Sequence, residues 1–319
     1  MYITAFKRAA LAATLSVGMF GTAAIGTAAA QECSEPHFSD VGWTDITATT
    51  ATASVVLEAL GYEPEASVLS VPVTYKSMEN GDIDIFLGNW MPTMEGDIRP
   101  YIDNGSVQQL EVPNLEGAKY TLATNAVGAK LGIKSFADIA KHEDALEGEI
   151  FGIEPGNDGN RLIQSMIDKD AFGLGEFEVV ESSEQGMLAQ VERSKRREAP
   201  VVFLGWEPHP MNANFDLTYL TGGDDYFGPN LGGATIYTNV RSGYIEACPN
   251  VGALLTNLKF SLAMENEIMS KILNDGMDPN DAATDWLTAN PDVLGSWLAG
   301  VKTIDGKPAL PAVKKALKL

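Results

Sequence analysis

Short apolar runs alternate with amphipathic segments along nearly the whole chain, the pattern of an α/β protein. Phe38 to Trp43 is predicted as a strand that ends in a polar turn at Thr44-Asp45, and the spacing from there to Leu60 predicts a helix. Asp45 or a neighbouring threonine can cap that helix, and Gly61 stands where its C-terminus wants a left-handed residue. A second amphipathic helix is expected over Val71–Asn80. Ile83, Ile85 and Leu87 alternate with polar residues as in a strand, which Gly88-Asn89-Trp90-Met91-Pro92 is expected to break.

A new unit follows the Pro- and Gly-punctuated stretch near Val112–Gly117. Tyr120–Asn125 and Ile150–Ile153 are predicted strands, with a short helix at Ser135–His142 between them. Pro155-Gly156-Asn157-Asp158-Gly159-Asn160 forms a turn that opens a helix over Arg161–Asp168. Gly186–Arg197 is predicted helical, and Pro200–Trp206 is a buried strand that ends on an aromatic ring. Asp224–Tyr237 is expected to cross back, and the tail from Val251 onward to be mostly helical.

The recurring event is a strand whose C-terminal end delivers an aromatic or amide residue into a loop: Trp43, Trp90 and Trp206, with Asn157 after another strand. Ligands of open α/β sheets bind outside those strand ends, so the four positions point to one site. A cluster of aromatic rings suits a cation that cannot donate hydrogen bonds, because ring faces attract its diffuse positive charge. Sugars also stack on tryptophan, so stacking alone leaves the ligand open. Trp286 and Trp297, eleven residues apart around Pro291, are expected as core packing instead.

Residues 1–30 change the picture of where the protein works. Lys7 and Arg8 precede an apolar stretch from Ala9 to about Ile25, and Ala28-Ala29-Ala30 before Gln31 offers the small-residue cleavage pattern of a secretory signal. The expectation is export to the periplasm with Gln31 as the mature start. The chain carries 22 basic and 43 acidic residues, a net charge of −21. Such a surface repels nucleic acid and anionic lipid, and weakly attracts cations. The two cysteines, Cys33 and Cys248, are expected to form one disulfide in an oxidising compartment; with no further ligands beside them a metal site is not expected. That bond would place both ends of the chain in the same lobe.

Gly42-Trp43-Thr44-Asp45, the run Gly81–Pro92, and Gly205-Trp206-Glu207-Pro208-His209 together resemble the glycine-betaine/choline substrate-binding proteins of ABC importers, with greatest similarity to the choline-binding branch. The resemblance spans essentially the whole mature chain. It implies a monomeric two-lobed periplasmic binding protein of type II-like fold, each lobe a mixed sheet flanked by helices, joined by two hinge segments. Lobe I would comprise residues 31–117 and 223–319, and lobe II residues 118–222. The partners implied are a small ligand and the transmembrane permease, with no cofactor. Carried over, Trp43, Trp90, Tyr120 and Trp206 would cage a trimethylammonium group, Asp45 would supply the countercharge, and Asn157 would hydrogen-bond the ligand's hydroxyl.

The polar end of the ligand separates the candidates. Glycine betaine brings a carboxylate and wants donors; choline is a net cation and is favoured by Asp45. His209 cuts the other way as a possible betaine contact, against the alternative of a structural histidine held between Pro208 and Pro210. Arg161, at a helix start, is read as an exposed residue outside the site. Acetylcholine and the betaines are expected as weaker ligands. The competing class, an exported hydrolase acting on choline esters, would need a nucleophile and base. His37, His142 and His209 stand in no H-E-x-x-H or G-x-S-x-G context, and Asp82 and Asp84 are read as the polar face of a strand, so no catalytic or metal residue is assigned.

Overall fold

The computed structural model describes residues 33–319; the leader expected over residues 1–30 lies outside the described residues. Among the described residues there are ten strands: β1 His37–Asp40, β2 Glu65–Val68, β3 Ile85–Met91, β4 Val107–Gln109, β5 Leu115–Thr124, β6 Glu149–Phe151, β7 Glu178–Val180, β8 Val202–Glu207, β9 Thr218–Tyr219 and β10 Gly233–Arg241. They hydrogen-bond in the order β2-β1-β3-β10-β5-β8-β6-β7, with β4 also on β10 and β9 also on β5. β1 lies parallel between β2 and β3, and β6 parallel between β7 and β8, while β10 and β5 run antiparallel to their neighbours.

The protein is two-lobed, and the two longest strands run between the lobes. β5 pairs with β10 over Leu115–Lys119 and with β8 over Lys119–Thr124. Strands of the first part of the chain and β10 gather on one side, and β5 to β9 on the other. A disulfide joins Cys33 to Cys248 across 215 positions, as the sequence suggests. Closing a loop of that length contributes about 5 kcal/mol in the chain-entropy picture.

The helix Thr44–Ala59 is buried on nearly every side, which its small residues allow. Helices Leu262–Leu273 and Pro279–Ala289 pack against it, so tertiary contact overrides the poor helix propensity of its threonines. Thr49 and Thr52 return their hydroxyls to the carbonyls of Asp45 and Ala48. The helix ends as expected, with Gly61 at a φ of +91°. The helix Val71–Asn80 also matches its predicted limits.

Several expectations are corrected. β1 stops at Asp40; Gly42 then turns with a φ of +81°, and Trp43 is the residue preceding the helix rather than the end of a strand. β3 does not break at Gly88 but continues through Trp90 to Met91. Gly88 is needed there because a Cβ would stand 2.7 Å from the Ile46 side chain. Asn89 is buried within a polar group, donating to Gln109 at 2.8 Å and accepting from Tyr75 at 3.3 Å. Both strand ends bearing Trp90 and Trp206 pass into cis X–Pro peptides, Met91-Pro92 and Glu207-Pro208. β5 begins at Leu115, inside the stretch expected as loop. The helix expected from Arg161 starts at Asp158, and the one expected from Gly186 starts at Glu184. Asp84 lies outside any strand, buried against Arg241 at 2.5 Å and the His37 N–H at 2.9 Å.

Trp286 and Trp297 are core residues, as read. Trp286 donates to Glu267 at 2.8 Å, and Trp297 meets the edge of Phe260.

Candidate functional site

Between the lobes lies a small cavity lined by Trp43, Asp45, Trp90, Tyr120, Ile153, Asn157, Asp158 and Trp206. All six residues expected at the site are among them. Each ring is fixed from behind. Tyr120 on β5 and Trp206 on β8 are direct cross-strand partners, and their rings meet at 6.3 Å and 78°. Trp90 meets the same tyrosine at 6.0 Å and 63°. The Tyr120 hydroxyl donates to Asn157 Oδ1 at 2.8 Å. Gly159 makes room for that hydroxyl, since a Cβ there would stand 2.1 Å from it. Trp43 Nε1 reaches across the cleft to Glu154 Oε1 at 2.9 Å.

The acids divide sharply by how well they are partnered. Asp45 accepts from Trp90 Nε1 at 3.1 Å through Oδ2, while its Oδ1 has no partner. Neither oxygen of Asp158 has one, although the residue is 1 % exposed. The Thr93 hydroxyl beside it turns to the Trp90 carbonyl at 3.2 Å. Burial raises all these carboxyls. Asp45 is pushed up to about 8 by burial and by the charge of Glu184, Asp158 to about 6 and Glu154 to about 7, in both cases chiefly by burial. Behind Asp45, burial and the Asp45 charge hold Glu265 well above the usual carboxylate range.

Just outside the cavity, Glu184 is fully served. Its Oε2 accepts the Thr44 N–H at 2.8 Å, and its Oε1 accepts the Thr44 hydroxyl at 2.5 Å and His209 Nε2 at 3.2 Å. The Met211 N–H donates to His209 Nδ1 at 2.9 Å, which assigns the ring proton to Nε2. Thr44 begins the helix Thr44–Ala59, so a carboxylate from the opposite lobe caps it. The expected cap Asp45 is the second residue of the helix and faces the cavity instead.

His209 does not line the cavity. Both its nitrogens are engaged, and its ring packs on Trp206 at 4.9 Å. Asn157 lines the cavity, but its Oδ1 is spent on Tyr120, Gly159 and Asn160, and its amide donates to Glu154 at 3.3 Å. Arg161 stands at the surface, paired with Asp97 of the opposite lobe and with the Gly156 carbonyl at 2.8 Å. Ile153, Asp158 and Glu184 were not anticipated. Asp158 adjoins Asn157 at a predicted helix start, where an acidic residue is ordinary, so only its burial marks it out.

The model of the substrate-binding domain of ABC-type glycine betaine transport systems matches residues 37–289. A structure of an ABC-transporter choline binding protein in complex with choline is 67% identical, with a TM-score of 0.89, covering 90% of this chain and 99% of that one. An unliganded, semi-closed structure of such a protein is 68% identical with a TM-score of 0.83 at the same coverage. The glycine betaine/carnitine transport binding protein GbuC of Listeria monocytogenes is 31% identical over 157 residues, which is 49% of this chain and 51% of that protein. Among the described residues no helix is long and apolar enough to cross a membrane. The chain belongs to the family of substrate-binding domains of ABC-type glycine betaine transport systems, whose members bind solute outside the cell for an importer.

Proposed function

We propose that this protein captures choline in the periplasm and presents it to the membrane permease of its importer. The observation that carries the reading is the character of the cavity wall. Four aromatic rings line it, no lysine, arginine or histidine does, and the buried side-chain oxygens left without partners there are all carboxylate oxygens. Trp43, Trp90, Tyr120 and Trp206 face the trimethylammonium group, each desolvated contact contributing up to about 2 kcal/mol. Asp45 supplies the countercharge. A betaine carboxylate would sit against Asp45 and Asp158 with no cation to receive it, so choline is favoured over glycine betaine and proline betaine. The 67% identity to a choline binding protein solved with choline supports the same ligand.

Trp43, Asp45 and Trp90 belong to the lobe formed by residues 31–117 and 223–319, and Tyr120, Asn157 and Trp206 to the lobe 118–222. Ligand therefore completes its contacts only when the lobes close, which makes closure a population shift driven by the bound cation. The N-terminal leader, removed before Gln31, delivers the chain to the periplasm. Its work there is binding rather than catalysis, since the one buried histidine near the cavity has both nitrogens engaged.

Titration of tryptophan fluorescence with choline, acetylcholine, glycine betaine and proline betaine tests the assignment. Choline is expected to bind tightest and acetylcholine more weakly. A betaine binding tighter than choline would overturn the reading.

A further inference from the structure

We propose that the surface built by residues 302–319 docks on an anionic lipid bilayer, the outer face of the membrane that holds the importer. The inference goes beyond the choline reading and needs only that the protein works outside the cell for an importer, as its family does. The chain carries 43 acidic and 22 basic residues, yet residues 302–319 hold five lysines and one acid, Asp305. The average surface repels anionic lipid, and this segment reverses the sign locally. Lys302, Lys307, Lys314, Lys315 and Lys318 are all exposed. Lys307 pairs with Asp305; the other four side chains have no ion pair or hydrogen bond among the described residues. Helix C-termini favour lysine, which accounts for Lys314 and Lys315 in the last turn of the helix Ala309–Ala316. That preference gives no role to Lys302 and Lys307, which precede the helix.

The fold gathers these lysines around apolar surface. The Ile304 N–H donates to the Leu60 carbonyl at 2.9 Å, and Asn250 holds Lys302 by its N–H at 2.9 Å and its carbonyl at 2.7 Å. Ala309, Val313 and Leu317 are buried, so the helix turns its lysines to solvent. Lys307 and Lys315 line one groove with Leu60, Ile304 and Pro311, and Glu58 adds an acid there beside Asp305. Ile304 is 48 % exposed and Leu319 45 %, unusual for large aliphatic side chains. Lysines beside exposed aliphatic groups suit a bilayer boundary, where ammonium meets phosphate and the apolar group enters the acyl region. A second copy of this acidic chain would satisfy the lysines alone. At about 0.1 M salt, charges are screened beyond about 10 Å, so acids elsewhere on the molecule do not cancel the patch. Leu60 follows the helix Thr44–Ala59, which begins beside the cavity and spans about 24 Å. Lipid and solute therefore bind at opposite ends of that helix and do not compete.

Each lysine brought to an anionic surface strengthens binding by up to about fivefold. Co-sedimentation of the mature protein with phosphatidylcholine vesicles, and with vesicles of equal parts phosphatidylcholine and phosphatidylglycerol, reads this directly. At about 0.1 M salt the anionic vesicles are expected to bind at least about tenfold more protein, and at about 1 M salt the difference should vanish. Replacing all five lysines by glutamine is expected to abolish the preference while the choline affinity stays within about twofold. The pair Lys314→Gln and Lys315→Gln carries the same comparison with a smaller loss if the fivefold variant folds poorly. Equal binding to both kinds of vesicle, or a preference that survives the lysine replacements, would overturn the proposal. So would sedimentation velocity that shows the lysines driving self-association instead of vesicle binding. Protein that binds anionic vesicles but no choline would sink the choline reading and leave the docking surface standing.

Discussion

The cavity and the seam that surrounds it are built from the same kinds of residue, yet they treat buried charge in opposite ways. In the seam, Glu184 accepts three hydrogen bonds, two of them from the opposite lobe. Trp43 and Glu154 add another bond across the cleft, and Arg161 with Asp97 an ion pair nearer the surface. In the cavity, Asp45 and Asp158 together leave three oxygens unserved. A satisfied acid holds two surfaces together, whereas an unsatisfied one selects what comes between them. The seam therefore sets how readily the lobes close, and the cavity sets which cation they close on. At equal coverage the molecule stands nearer to the choline-bound relative than to the semi-closed one, in keeping with a seam already formed.

Removing a ring breaks the cavity side of that comparison most severely. Trp206→Ala deletes a cage face that also braces Tyr120 and His209. Loss of the cation–ring contact and of the apolar surface around it amounts to about 3 kcal/mol or more. Choline affinity measured by calorimetry is expected to fall more than about 100-fold. A loss below tenfold would mean that the cation does not sit against this ring.

That three tryptophans meet at one cavity was legible in the sequence, because each stands near the end of an apolar run beside Gly or Asn. The cysteine pair was legible from number and compartment alone. What stayed hidden has a common physical origin. Whether an acid is buried, and whether anything reaches it, depends on groups distant along the chain: Glu184 meets Thr44 across 140 positions. Asp158 looks like any first-turn aspartate, and Asp45 like any helix cap, until the packing around them is known. Gly88 looked like a strand breaker because its lack of a side chain is read locally as flexibility. Its actual cause is Ile46 pressing from the facing helix. Pattern gives the element and often its face; the partner comes from tertiary structure.

Breaking the seam should leave a different signature. Glu184→Gln keeps the shape and can still accept the Thr44 N–H, but its amide nitrogen would then face the Thr44 hydroxyl and the protonated Nε2 of His209. Losing charge-assisted bonds of this kind costs about 1.5–3 kcal/mol. The closed state bears that cost whatever the ligand, so choline and acetylcholine are expected to weaken together by about 10- to 150-fold. Competition titrations check this, and a change in their relative affinities by more than threefold would place Glu184 in ligand selection rather than in closure.

The smallest effect expected here sharpens the cavity side through protons. Without ligand, burial and Glu184 hold the Asp45 carboxyl up at about 8, so near neutral pH it is largely protonated. A permanent cation beside it favours the carboxylate, and binding therefore releases a proton below pH 8. Affinity should rise with pH and level off above 8, with choline bound about fivefold more weakly at pH 7 than at pH 8 if the bound carboxylate stays ionised. The stability of the ligand-free protein runs the other way. A carboxyl whose pKa is raised on folding contributes its stability at low pH, and this is lost as pH climbs from about 4 through 8. Calorimetry in buffers of different ionisation heat counts the released proton, and thermal melts follow the opposing trend. Asp45→Asn should flatten the pH dependence of binding, because the group that exchanges the proton is gone. If the slope persists in that variant, another carboxyl of the cavity carries it, with Asp158 at about 6 and Glu154 at about 7 the nearest in range.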